Sequence, residues 1–167
     1  MSGVGAAGRD VDATGMRVAV VAASWHDEVM AGLLAGAQRQ AEQAGATVQV
    51  FRVPGSFELP VAAQRAAQAD FDAVVALGVI VRGGTPHFDY VCNAATDGLS
   101  QVALTSGKPV GFGLLTCDTI EQALDRAGLP GSSEDKGGEA VAAALATAIT
   151  LQDIGSAKRP YSGFTPS

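Results

Sequence analysis

Arg82-Gly83-Gly84-Thr85-Pro86-His87 places two adjacent glycines, a hydroxyl and an imidazole in one short segment, a combination suited to holding a phosphate and moving protons beside it. Consecutive glycines ahead of a helix free the backbone to point several N–H groups at one spot, and the helix N-terminus adds partial positive charge. The plainer reading of Gly83, Gly84 and Thr85 is a tight turn. Position favours a site, because this turn leaves the most apolar run of the chain, 71–81, the strand expected at the centre of a sheet. His87 opens the next helix, and imidazole is the side chain suited to proton exchange near neutral pH. A lone histidine also serves as a cap or a surface residue.

Other residues could join it. Trp25, the only tryptophan, sits at a strand exit, where it could stack on a flat heterocycle or make a helix-capping apolar contact. Glu58, close to Pro60 at another strand exit, could accept hydrogen bonds from substrate hydroxyls or simply favour a helix start. Arg126 could clamp a phosphate bidentately and Lys136 supply a point charge, although surface charge is the usual role of either. His26 reads as an exposed first-turn residue, and Cys92 and Cys117 as packing residues.

The elements that must position these groups alternate along the chain. Short apolar runs of the kind shown by strands covered on both faces are expected at 17–23, 47–53, 71–81 and 109–116. Between and after them, helices are expected from Ser24, a candidate cap, to about Gly45, then over 58–69, 87–105, 120–127 and 134–152. In the first helix Met30, Leu33, Leu34, Ala37 and Ala41 recur at helical spacing, and in the last Val141, Ala144, Leu145, Ala148 and Ile149 share a face. Such alternation implies right-handed crossovers and a four-stranded parallel sheet between helix layers, an α/β/α sandwich. Ligands bind such sheets beyond the carboxyl ends of the strands, which selects 24–26, 54–58, 82–87 and 116–118.

With 167 residues, one domain is the expectation, here 15–154 between a flexible arm, 1–14, and a flexible tail, 155–167. Gly3-Val4-Gly5-Ala6-Ala7-Gly8 spells a dinucleotide fingerprint, but no strand precedes it, so it is rejected. A net charge of −6 without a Lys/Arg cluster speaks against nucleic acid as a partner. The apolar stretches are too short to cross a bilayer, and the opening residues lack the core of a signal peptide, so a cytoplasmic protein is expected. Two cysteines without metal-ligand spacing suggest neither a zinc site nor a disulfide framework.

Taken together, Trp25, Gly55-Ser56-Phe57-Glu58-Leu59-Pro60, the run Ala76-Leu77-Gly78-Val79-Ile80-Val81-Arg82-Gly83-Gly84-Thr85-Pro86-His87-Phe88-Asp89-Tyr90 and Arg126 resemble lumazine synthase, over roughly 16–154. The resemblance implies a flavodoxin-like fold and a transferase of riboflavin biosynthesis. That enzyme condenses 5-amino-6-ribitylamino-uracil with 3,4-dihydroxy-2-butanone 4-phosphate, releasing 6,7-dimethyl-8-ribityllumazine, phosphate and water, with no cofactor or metal. By analogy Trp25 stacks on the pyrimidine, the backbone of Val79, Ile80 and Val81 reads its edge, and Ser56, Phe57 and Glu58 hold the ribityl chain. Gly84, Thr85 and Arg126 take the phosphate, His87 shuttles protons, and Lys136 assists.

The resemblance also implies that Phe112, Arg126 and Lys136 come from a neighbouring subunit of a homopentamer, so that a monomer is inactive. Many members join twelve pentamers into a hollow shell. Here the stretch between Arg126 and Lys136 looks longer than in shell formers, which favours free pentamers. Three departures stand out: Trp25 for a commoner Phe, Glu134-Asp135-Lys136 for a more usual Gly-Asn-Lys, and Cys117-Asp118 for Thr-Asp or Thr-Asn. Two rival readings are a flavin-binding module without catalysis and a shell that encloses a partner enzyme such as riboflavin synthase.

Overall fold

The computed structural model describes residues 10–157. The strands β1 (Arg17–Ala23), β2 (Thr47–Val53), β3 (Ala73–Val81) and β4 (Val110–Cys117) form one four-stranded sheet in the order β2-β1-β3-β4, and all of its pairings are parallel. Helices α1 (Asp27–Gln43), α2 (Leu59–Ala67) and α3 (His87–Ser106) follow the first three strands; α4 (Ile120–Leu124) and α5 (Lys136–Ser156) follow the fourth. This is the flavodoxin-like α/β/α sandwich expected from the sequence.

Both faces of β1 and β3 are buried, which is why they carry near-continuous Val, Ala and Leu rather than alternating polar residues. Side chains still alternate between two cores. Val18, Val20, Ala22, Val75 and Leu77 face α1 and α5, whereas Ala19, Val21, Val74 and Ala76 face α2 and α3. The helices over the first core approach closely through small residues: a Cβ at Gly137 would overlap the Leu33 carbonyl and one at Gly36 the Asp135 carboxylate. Among the described residues no helix is long and apolar enough to cross a membrane.

Several boundaries differ from expectation, each for a tertiary reason. β3 starts at Ala73 because Phe71 packs edge-on against Phe51, ring centroids 5.9 Å apart. Asp72 meanwhile exchanges hydrogen bonds with Arg17, accepting from Arg17 N at 2.7 Å and donating its own N–H to Arg17 O at 2.8 Å. Helix α4 stops at Leu124 because the following backbone is drawn into a bridge between Ala127 and Asp135. The last helix begins at Lys136, capped by Asp135 Oδ1, which accepts from Gly138 N at 2.9 Å, and it continues past 152 to Ser156.

Ser24 does not cap α1. Its hydroxyl donates to the Val53 carbonyl at 2.8 Å, tying the exit of β1 to that of β2, because the helix starts beyond its reach. The N-cap is His26, at φ 61°, among the described residues the only non-glycine with positive φ. At the start of the described chain Ala13 is buried and donates to Ala44 O at 2.8 Å. The Gly3–Gly8 fingerprint and the tail beyond 157 lie outside the described residues.

Candidate active site

In this strand order the connection from β1 runs to one side and that from β3 to the other, so a crevice opens at the carboxyl ends of these two neighbours. It holds a cleft of about 530 Å³. Trp25 and His26 enter it from the exit of β1, Gly55 to Glu58 from the exit of β2, Val79 to Arg82 from the end of β3, and His87 from the first turn of α3. Trp25 is 68% exposed and Phe57 63%, an uncommon cost for large apolar rings unless something covers them.

Ser56 is the pivot of the turn at the exit of β2. Its residue is buried, and its hydroxyl has no hydrogen-bond partner within the chain although it borders the cleft. A buried hydroxyl left unpaired is costly, by about 1–3 kcal/mol, so its retention points to a partner that arrives with a ligand. Ser56→Ala is therefore expected to keep or raise folding stability, by up to about 1–3 kcal/mol, while weakening the binding of a hydroxyl-bearing ligand by about 5- to 10-fold. Paired thermal melts and ligand titrations check both halves.

Arg82, which residue type and spacing did not single out, organises the rim. Its Nε donates to Asp118 Oδ1 at 2.7 Å, its Nη1 lies 3.4 Å from Asp89 Oδ1, and its guanidinium stacks 4.2 Å over Phe88. The Asp118 hydrogen bond raises its pKa further above its already high ordinary value, with the charge of Asp89 adding to the shift, so the group stays cationic. This joins the exits of β3 and β4 and the start of α3. The signal available from sequence was only a cation at a strand exit.

Gly84 and Thr85 lie exposed on the loop ahead of α3 and are not part of the cleft wall. Neither Gly83 nor Gly84 has positive φ, and a Cβ on either would meet open space. Their backbone does not demand glycine within one chain.

Phe112, Arg126 and Lys136 are elsewhere. Phe112 and Lys136 border a second cavity, about 420 Å³, between β4, the end of α3 and α5, shared with Glu139. Arg126 Nε lies 3.6 Å from Glu134 Oε1, and Lys136 Nζ contacts Glu134 Oε2 and sits 2.8 Å from Glu139 Oε2. Burial pulls the Lys136 ammonium down, but its hydrogen bonds to Glu134 and Glu139 more than offset that and raise it overall. Burial pushes the thiols of Cys92 and Cys117 up, as befits packing residues. One chain thus brings together Trp25, Ser56, Phe57, Glu58, Val79, Ile80, Val81 and His87, and keeps Phe112, Arg126 and Lys136 apart from them.

A doubly wound parallel sheet with an aromatic-walled cleft, an unsatisfied hydroxyl and an imidazole at its strand-order reversal defines a flavodoxin-like α/β protein with a candidate small-molecule site. Residues 15–152 match the family model for 6,7-dimethyl-8-ribityllumazine synthase, and the chain belongs to that family. Proteins of that name from Leifsonia xyli and Kocuria rhizophila are similar to it. The first is 64% identical over 156 residues, covering 92% of this chain and 99% of its own length. The second is 68% identical over 156 residues, covering 90% and 99%. The relative from Kineococcus radiotolerans, of the same name, is 64% identical over 155 residues.

Proposed function

We propose that the cleft condenses 5-amino-6-ribitylamino-uracil with 3,4-dihydroxy-2-butanone 4-phosphate to give 6,7-dimethyl-8-ribityllumazine, phosphate and water, the reaction of a lumazine synthase in riboflavin biosynthesis. The observation that carries the assignment of roles is the pairing of an exposed Trp25 with the unpartnered Ser56 hydroxyl across one cleft. The indole stacks on the pyrimidine, the backbone of Val79 to Val81 reads its edge, and Ser56, Phe57 and Glu58 hold the polyhydroxylated chain.

The primary amine attacks the ketone and one water leaves as the imine forms; a proton is lost as phosphate is eliminated, and the enol that remains tautomerises to a carbonyl; the ribityl-bearing amine attacks that carbonyl, and a second water leaves as the ring closes. His87, at the cleft and at the start of α3, moves these protons, and Gly84, Thr85 and Arg126 hold the phosphate with Lys136 assisting. An amine and a ketone condense slowly unaided, so holding the partners in register carries much of the acceleration. His87→Ala is expected to lower kcat by about 100-fold, the low end of what a positioned acid/base supplies, without abolishing turnover, read from single-turnover lumazine fluorescence.

The site is completed by a second copy. Exposed apolar groups lie at both edges of the sheet, Val50 and Phe51 on β2, and Phe112 on β4 with Leu104, Leu151 and Ile154 on the adjoining helices. Two different patches on opposite edges suit a head-to-tail interface, which closes into a ring. A homopentamer meets this requirement and carries Phe112, Arg126 and Lys136 to the neighbour's cleft. We favour free pentamers over a shell, and a cytoplasmic setting, where the free thiols Cys92 and Cys117 stay reduced.

The deciding experiment mixes purified protein with both substrates in the presence of EDTA and follows phosphate release and lumazine fluorescence together. Stoichiometric appearance of both supports the assignment. Tight riboflavin binding with neither product would mean a binding module. Light scattering separates a pentamer from a shell, the form that would enclose riboflavin synthase.

A further inference from the structure

The structure assigns Glu134 a role beyond the substrate contacts above: its carboxylate occupies the phosphate position between Arg126 and Lys136 and must be displaced by an incoming phosphate monoester. The inference rests on the proposed placement of the substrate phosphate at Arg126.

One carboxylate bridges both cations, Oε1 lying 3.6 Å from Arg126 Nε and Oε2 contacting Lys136 Nζ. These are the donors proposed for phosphate, and their engagement by two oxygens of a single anion reproduces how a phosphate would take them. With Glu139 on the other side of Lys136 and the Asp125 carboxylate close enough to Arg126 to feel its charge, the carboxylates at least match the two cations, so the resting cluster offers an entering dianion no net attraction.

The arrangement is built by the backbone. Lys136 N donates to Arg126 O at 3.0 Å, Gly128 N to Glu134 O at 2.9 Å, and Glu134 N to Asp125 O at 3.1 Å, around the antiparallel bridge of Ala127 with Asp135. Alternation along this short ladder sets Arg126, Glu134 and Lys136 on one face and Asp135 on the other, where it caps α5 and lies against Gly36. Ser133 tightens the turn further, its hydroxyl donating to Asp125 Oδ2 at 2.6 Å. The loop cannot withdraw Glu134, so clearing the site requires rotation of its side chain, which is 26% exposed and has solvent to move into. The same carboxylate returns to the cations once inorganic phosphate forms and competes it away, which makes Glu134 a specificity and product-release residue rather than a catalytic one.

The test uses the assembled full-length protein and inorganic phosphate as a competitive inhibitor against the phosphorylated ketone. A unit charge about 4 Å away in water-like surroundings corresponds to roughly a 5-fold change in affinity per ligand charge, so about 5- to 30-fold for a phosphate. Glu134→Gln is expected to lower the phosphate inhibition constant by that factor, with KM for the pyrimidine unchanged, and Glu134→Ala to act in the same direction. An inhibition constant that stays the same or rises in both variants overturns the inference, since it would make Glu134 a spectator or a scaffold for the cations. Arg126→Ala separates the two levels: if it leaves phosphate inhibition intact, the placement of phosphate at Arg126 fails; if it weakens inhibition while the Glu134 variants change nothing, only the role of Glu134 fails.

Discussion

Arg126→Ala is expected to lower kcat/KM for 3,4-dihydroxy-2-butanone 4-phosphate by about 100- to 1000-fold, the size of losing a charge-assisted hydrogen-bond donor from a partly desolvated phosphate site. Only one of the two substrates carries phosphate, so the dissociation constant of the ribityl pyrimidine should stay within about 2-fold of the parent. Folding stability should change by less than about 1 kcal/mol, because the guanidinium is 38% exposed and its pairing with Glu134 is half in water. Equal loss toward both substrates would remove Arg126 from the phosphate site and make it a structural support of the loop it begins. Steady-state kinetics with each substrate varied in turn, beside a titration of the pyrimidine alone, reads both quantities.

Gly78→Val is expected to cost about 3 kcal/mol or more and to remove activity in whatever protein still folds. Gly78 lies in β3, inside the sheet, and a Cβ there would stand 2.8 Å from Ser56 Oγ, 2.9 Å from Leu114 Cδ1 and 3.0 Å from Leu59 Cδ1. Overpacking of a tight core typically costs about 1–3 kcal/mol, and more where the neighbours are pinned. Leu59 is fully buried and Leu114 nearly so, and Ser56 belongs to the turn that forms the cleft wall, so relief has to come from forcing these packed side chains into other rotamers or from pushing that turn away from β3. Gly78→Ala should show the same pattern in smaller measure: a lowered melting temperature and a raised KM for the pyrimidine with the phosphorylated ketone less affected. A variant that keeps its stability would show that the turn yields easily and that the bare backbone at Gly78 is not what seats Ser56.

These two substitutions probe different levels of the molecule, and they divide what sequence could reveal from what it could not. β1 and β3 were legible because a strand buried on both faces needs an unbroken apolar run, and α1 because Met30, Leu33, Ala37 and Ala41 must meet one core at helical spacing. The strand-exit rule selects 24–26, 54–58, 82–87 and 116–118 from the sequence, and the Gly-x-Thr-Pro-His-Phe-Asp-Tyr run carries the family. Ser24 reads as a cap because capping propensity is local, while its actual acceptor, the Val53 carbonyl, lies across the sheet.

Sequence by itself determined the class of fold, the family and the end of the sheet where the candidate site lies, since each depends on the order and type of residues along the chain. Only the tertiary structure decided that Arg82 ties two strand exits together through Asp118, that His26 bends the chain into the cleft at positive φ, and that Glu134 sits between Arg126 and Lys136. The physical reason is the same for all three. Burial periodicity and capping are short-range and written in neighbouring residues, whereas strand register, sheet-edge exposure and the bridge of Ala127 with Asp135 are set by which distant segments pack together.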